Sequence, residues 1–189
     1  MELINIILIC LVVLLLLYII LNWVYSSSTR LTHKYNGSKQ QIILASTLPT
    51  SNNSSNYTYS TWFYVNDWNY RFGEPKILLG RHDNEKHPSP SIVFGAMEND
   101  INVSVACYSD NKKVDGKYKI HTCNIKNFPL QKWVNLIISL YGRTLDIYID
   151  GKLVRTCVLP GVAKINQDAN IVVTPNGGFS GVTTNFQYW

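Results

Sequence analysis

Charge is scarce in this chain. Asp, Glu, Lys and Arg account for 15% of its 189 residues, and the net charge is a modest +5. The basic residues are scattered, without a run or a basic helix, which argues against a nucleic-acid partner. No internal repeat or extended low-complexity tract is visible. After residue 25 there is no amphipathic helical pattern, which disfavours an α/β fold. Aromatic side chains, by contrast, are plentiful at 12% of residues, a composition that suits an all-β fold and argues against disorder. The length leaves room for one domain with accessories.

The longest apolar run is N-terminal. Ile6 to Leu21 is unbroken, and Leu3, Ile4, Trp23 and Val24 extend it to about 20 residues, enough to cross a hydrocarbon core about 30 Å thick. Leu3, Ile6, Leu14, Leu21 and Trp23 mark its extent as a membrane anchor. Tyr18, Trp23 and Tyr25 gather toward one end, where aromatic rings favour the headgroup level. A cleaved signal peptide is the alternative, with a basic n-region, an apolar core of about 7–15 residues and a small-x-small site. This chain begins Met-Glu-Leu-Ile-Asn, its core is longer, and only Ser26 to Ser28 offer small residues. An uncleaved, single-pass anchor over residues 1–25, in contact with a lipid bilayer, is therefore expected.

Charge on either side of the anchor sets its orientation. No Lys or Arg precedes it, whereas Arg30, Lys34 and Lys39 follow closely, a bias that places the remainder of the chain on the cytoplasmic side. Asn-x-Ser/Thr sequons at Asn36, Asn52, Asn53, Asn56 and Asn102 point the other way, since they accept glycans only in the lumen. Asn-rich, Ser-rich loops produce such triplets by chance, so they weigh less.

Residues 26–56 read as a tether containing one strand, Gln41 to Ala45, and a turn-rich loop from Leu48-Pro49 to Ser55. Residues 57–189 read as a series of short strands. Trp133 to Leu140, Leu145 to Ile149 and Leu153 to Leu159 form an antiparallel meander. In its middle strand Leu145, Ile147 and Ile149 point one way and Asp146 and Tyr148 the other, the two-residue period of a half-buried strand. Asp150-Gly151 is the dipeptide of a tight primed hairpin turn. Further strands are Tyr57 to Val65, Lys76 to Leu79, Ile92 to Ala96, Ile101 to Tyr108, Tyr118 to Ile125, Ile171 to Thr174 and Val182 to Tyr188. Residues 81–91 read as a polar loop, and Asp115-Gly116 as a second hairpin turn. Such short spacing favours a sandwich.

These strands carry a family resemblance. WVNLIISLYGRTLDIYIDGKLV resembles the late strands of the laminin-G-like, concanavalin A-like jelly-roll β-sandwich. YTYSTWFYVNDW resembles its early core strand, and GGFSGVTTNFQYW its last. Relatives usually continue a few residues beyond the point where this chain stops, at Trp189. The combination with an anchor is similar to short membrane proteins encoded by large DNA viruses with an internal membrane. WNYRFGEPKILLGR, LQKWVNLIISLYGRTLDIYIDGKLV and TPNGGFSGVTTNFQYW carry that likeness. It implies a minor virion protein on the internal membrane, its sandwich facing the capsid shell and touching neighbouring capsid or membrane proteins. A surface lectin that binds glycans is the alternative.

The hydrolase branch of the superfamily would need Glu-x-Asp-x-x-Glu or Glu-x-Asp-x-Glu along one strand. Glu98-Asn99-Asp100 has no third carboxylate and reads as a turn, so no enzyme is expected. His82 and His87 share the polar loop with Asp83 and Glu85, but nothing fixes them as metal ligands. Calcium, which some relatives hold at the sandwich rim, would have Asp67, Asp83, Asp146 and Asp150 to draw on, without a diagnostic spacing. No cofactor is assigned. Trp62 and Trp133 are expected in the core. Trp68, Asn69 and Tyr70, beside an Asn-rich turn, are the candidates for glycan contact.

Of four cysteines, Cys10 lies in the anchor. A hairpin centred on Asp115-Gly116 sets Cys107 almost opposite Cys123, so a Cys107–Cys123 disulfide is one option and Cys123–Cys157 the competing one. Three cysteines in the domain leave one unpaired in either case, which is compatible with a reducing compartment and three buried thiols.

Overall fold

The computed structural model describes residues 2–26, 31, 33–49, 56–109 and 118–189, and within the N-terminal helix the side chains of residues 4–21. Met1–Arg30 and Leu31–Trp189 are separate compact units. The first is helix α1, Glu2–Ser26. Ile6, Leu14, Leu21 and the apolar residues between them are exposed on every face of it, as on a helix whose solvent is lipid. Its stretch Ile4–Leu21 is long and apolar enough to cross a membrane. The side chains of Leu3 and Trp23 lie outside the described set.

The second unit is a sandwich of two antiparallel six-stranded sheets. Its strands are β1 (Tyr35–Asn36), β2 (Gln41–Ile43), β3 (Tyr57–Asp67), β4 (Lys76–His82), β5 (Pro88–Phe94) and β6 (Ile101–Tyr108), then β7 (Tyr118–Ile125), β8 (Trp133–Tyr141), β9 (Thr144–Ile149), β10 (Lys152–Val158), β11 (Ile171–Val173) and β12 (Ser180–Tyr188). The first sheet has the order β1-β12-β3-β8-β9-β10 and the second β2-β11-β4-β5-β6-β7. Two short strands, β1 and β2, fall inside the stretch read as a tether, and each joins a different sheet. Ala45–Thr47, expected as the end of a strand and the loop beyond it, begin a 3-10 turn.

Alternation in the sequence becomes layering here. Val134, Leu136, Ile138 and Leu140 of β8 are buried, as are Leu145 and Ile147 of β9, while their neighbours point outward. Between the sheets Phe63, Phe94, Phe128 and Phe179 form one aromatic cluster, with Phe94 centroids 4.9–5.2 Å from those of the other three. The Asp150-Gly151 turn is as expected: both residues have positive φ, 51° and 77°, and Lys152 pairs directly with Ile149.

The polar loop expected over residues 81–91 shrinks to residues 83–87, because β4 runs on to His82 and β5 starts at Pro88. Prolines are tolerated in β5 because its pairing with β6 begins only at Ser91, so Pro88 and Pro90 owe no donor on that side. Residues 110–117, which include Asp115-Gly116, lie outside the described set. The strands they join nonetheless correct the assumed register. Cys107 pairs with Lys119 and Cys123 with Val103, which moves the two cysteines four positions apart along the ladder.

Candidate binding surfaces

The outer face of the first sheet carries an aromatic surface. On β3, burial of Phe63 and Val65 forces Trp62 and Tyr64 outward; on β8, burial of Val134 does the same to Trp133. The expectation that Trp62 and Trp133 belong to the core is therefore corrected. They are 37% and 41% exposed, against 0% for Phe63. Tyr64 pairs with Trp133 in the ladder and the two rings meet edge-to-face at 5.6 Å. Val182 of β12 flanks Tyr64, and Thr184 flanks Trp62. Ile137 and Tyr148 lie side by side further along, with Leu153 of β10 beyond. The far end of the face is polar: Thr58 bonds Ser139 at 3.1 Å and the Thr156 hydroxyl donates to Asp146 at 2.6 Å.

A second surface lies at the rim, where Tyr70, Asn66, Asn36, Ser38, Lys34 and Tyr35 line a groove of about 540 Å³ with residues of β12. The Tyr70 hydroxyl donates to the Gly177 carbonyl at 3.1 Å, which fixes the ring in the groove wall. Of the three proposed glycan contacts, Tyr70 lines this groove and Asn69 is exposed beside it. Trp68 turns inward instead. Its indole donates to the Met97 carbonyl at 2.9 Å, its ring packs against Phe128, and the buried Lys76 ammonium sits 4.4 Å above it. Burial, and then repulsion from Arg71, pushes the Lys76 pKa below its ordinary value.

The polar turn between β4 and β5 is a structural lock. The Asp83 carboxylate accepts the backbone N–H groups of Glu85 and His87, the His87 ring at 3.0 Å and the Lys164 ammonium. Burial opposes the charge of Asp83, but the bonds from Lys164 and His87 outweigh it and hold the carboxyl well below the usual range. Asp83, Glu85 and His87 converge, yet Lys164 already supplies the cation. The other carboxylates weighed for calcium are engaged separately: Asp67 with the Asn69 N–H, Asp146 with Thr156, and Asp150 with the Asn135 N–H and Lys132.

Glu98-Asn99-Asp100 forms the turn between β5 and β6. Asp100 accepts the Asn124 amide at 2.7 Å and fills the space where a Cβ on Gly95 would stand, 1.8 Å from its Oδ1.

Cys123 and Cys157 form a disulfide, the second of the two options, linking β7 to β10. The Cys107–Cys123 option fails on the register of β6 and β7. Cys107 is a buried free thiol, its pKa pushed up by burial.

One feature escaped the sequence reading. Arg81, assigned to a solvated loop, is 3% exposed. It donates to the carbonyls of Ala169 and Gln167 at 3.0 and 2.8 Å and to the hydroxyls of Tyr59 and Tyr188. Its place on the inward parity of β4, two residues after Leu79, was the available signal.

No curated protein matches the chain. Among solved structures, the botulinum neurotoxin serotype D binding domain superposes with TM-score 0.59 at 13% identity, over 85% of this chain and 40% of that one. The serotype G binding domain gives 0.54 at 12% identity, over 82% and 42%. The binding domain of botulinum neurotoxin DC, in complex with rat synaptotagmin II, gives 0.51 at 17% identity, over 71% and 32%. The chain thus spans less than half the length of these structures, and at such identities they share its fold alone. Residues 36–187, from β1 to the end of β12, match the laminin-G-type family described as the concanavalin A-like lectin/glucanases superfamily, and the chain belongs to that superfamily.

Proposed function

We propose that the protein is a membrane-anchored, non-catalytic docking module whose sandwich holds a neighbouring protein against a bilayer. The exposed aromatic end of the first sheet carries this reading. Trp62, Tyr64 and Trp133 there present large rings with little conformational freedom to lose and no charge among them, the composition of an interface core. The apolar helix α1 supports the anchor. In the Glu98–Asp100 turn one Asp100 oxygen already accepts the Asn124 amide, and no third carboxylate follows in the sequence, which supports a role without catalysis. With the likeness to anchored proteins of large DNA viruses, the finer form of the proposal is a minor virion component between an internal membrane and the capsid shell.

The test uses particles of the encoding virus. Full-length protein carrying Trp62→Ala and Trp133→Ala should stay in the membrane fraction but lose crosslinks to shell proteins. Retention of those crosslinks sinks the proposal. Orientation is checked by a deglycosylase mobility shift in eukaryotic cells, where an unshifted band supports a cytoplasmic, shell-facing sandwich.

A second reading has its own observation. The Tyr70 groove combines an aromatic ring with Asn36, Ser38 and Asn66, groups suited to a sugar. A deglycosylase shift that disappears on Asn53→Gln and Asn56→Gln, with glycan binding lost on Tyr70→Ala, would put this lectin reading first.

A further inference from the structure

The two sheets share one open side, where β10 ends the first and β7 the second. The Cys123–Cys157 bond spans it. A third side chain stands at the same place. His121 is two residues before Cys123, on the same face of β7, and brings a ring nitrogen within 4.8 Å of both sulfurs. Among the described residues, no hydrogen bond, ion pair or ring contact engages that imidazole. A disulfide needs no histidine beside it.

Two thiolates and one imidazole are, however, the donor set that Zn²⁺ takes, with tetrahedral geometry and a fourth position left for water. With Zn–S about 2.3 Å and Zn–N about 2.0 Å, the donor atoms of such a site lie roughly 3.5–3.8 Å apart. The three donor atoms already lie within 4.8 Å of one another, and Cα atoms 6.4 Å apart let rotation about the two cysteine χ1 angles open the sulfur pair toward that spacing without moving the strands. We propose that, once the disulfide is reduced, His121, Cys123 and Cys157 bind one Zn²⁺ ion, so that a metal clip replaces the covalent one across the sheet edges.

The chemistry balances. A thiol reductant supplies two electrons and two protons, the S–S bond breaks, and the reductant leaves as its own disulfide. Metal binding then displaces the two thiol protons to solvent, and two thiolates neutralise the ion, which removes the main cost of holding it at a buried edge. Compartment decides which clip is present: oxidising surroundings favour the disulfide, a cytosolic face the metal. Cys107 takes no part, since its thiol lies against the Val105 carbonyl on β6.

The experiment uses full-length Cys10→Ser protein in detergent micelles, reduced with a phosphine that leaves as its oxide, and then titrated anaerobically with Co²⁺. A thiolate-to-cobalt charge-transfer band should saturate at one ion per chain, vanish on adding Zn²⁺, and be absent from the oxidised chain. Circular dichroism should show the sheets intact. His121→Ala should weaken Co²⁺ binding by more than about tenfold, and Cys107→Ser should leave it unchanged. Equal binding by His121→Ala, binding by the oxidised chain, dependence on Cys107, or a reduced chain that shows no band or that unfolds without rescue by the metal would each overturn the site. None of these outcomes bears on the docking face.

Discussion

The outer faces of the two sheets are built from the same alternation, and part of each is put to a different use. On the second sheet the outward polar residues of β6 and β7 satisfy one another: the Ser104 and Thr122 hydroxyls meet at 2.9 Å, and the Asn124 amide donates to both Asn102 and Asp100. On the first, Trp62 and Trp133 are 37% and 41% exposed, with the half-buried Tyr64 beside them. A face whose polar groups are already paired has little to gain from a partner. A face of half-exposed rings gains by covering them. The contrast marks the first sheet as the side that the proposed docking would use.

The contrast is sharpest between neighbours on one strand. Phe63→Ala, which opens a hole in the shared aromatic core, should cost about 3–5 kcal/mol in chemical denaturation of the full chain. Its neighbour Trp62 should tolerate the same change with its fold intact. On the second sheet, Asn124→Ala removes the donor to Asp100 and Asn102 and should cost about 1–2 kcal/mol, a loss confined to stability. Trp133→Ala should do the reverse, changing stability by less than about 1 kcal/mol while abolishing attachment to the partner. If Trp133→Ala unfolds the sandwich, the division between the faces is wrong.

The smallest effect concerns pH. Because the folded carboxyl of Asp83 is held below its unfolded value of about 3.9, the stability it contributes is complete above that pH and is lost as acid protonates the folded group. Thermal melts should therefore show an acid-side decline that is reduced in Asp83→Asn. An identical decline in the variant would remove Asp83 from the account.

Much of the fold was legible because a strand with one buried face writes its period into the sequence, as Leu145 to Ile149 does. The same rule, applied consistently, would have turned Trp62 and Trp133 outward. They were misplaced because ring size suggested burial where parity did not. The cysteine pairing was harder to read. It depends on the β6–β7 register and on where β10 ends relative to a strand of the other sheet, and neither quantity is local. Arg81 was missed for a related reason. A charged residue between polar neighbours reads as solvated, and only the fold brings the Ala169 and Gln167 carbonyls to it. The Asn-rich surroundings pointed to Tyr70 as a candidate, while the groove that it lines depends on β1, more than 30 residues upstream.

The division of β1 and β2 between the sheets has a mechanical consequence. A chain entering at residue 31 first lies along the last strand, through the bonds of Leu31 to Phe186 and Gly37 to Gly181, and then crosses to β11, where Gln41 to Ile43 are paired. Tension applied through that segment is divided between both layers within a dozen residues of its entry. It meets β12, which is itself bonded to the central β3, before any hairpin can be peeled away. A module stitched in this manner resists being pulled out by its leash, and its yield point should lie in β1 and β12 well before the aromatic core gives way.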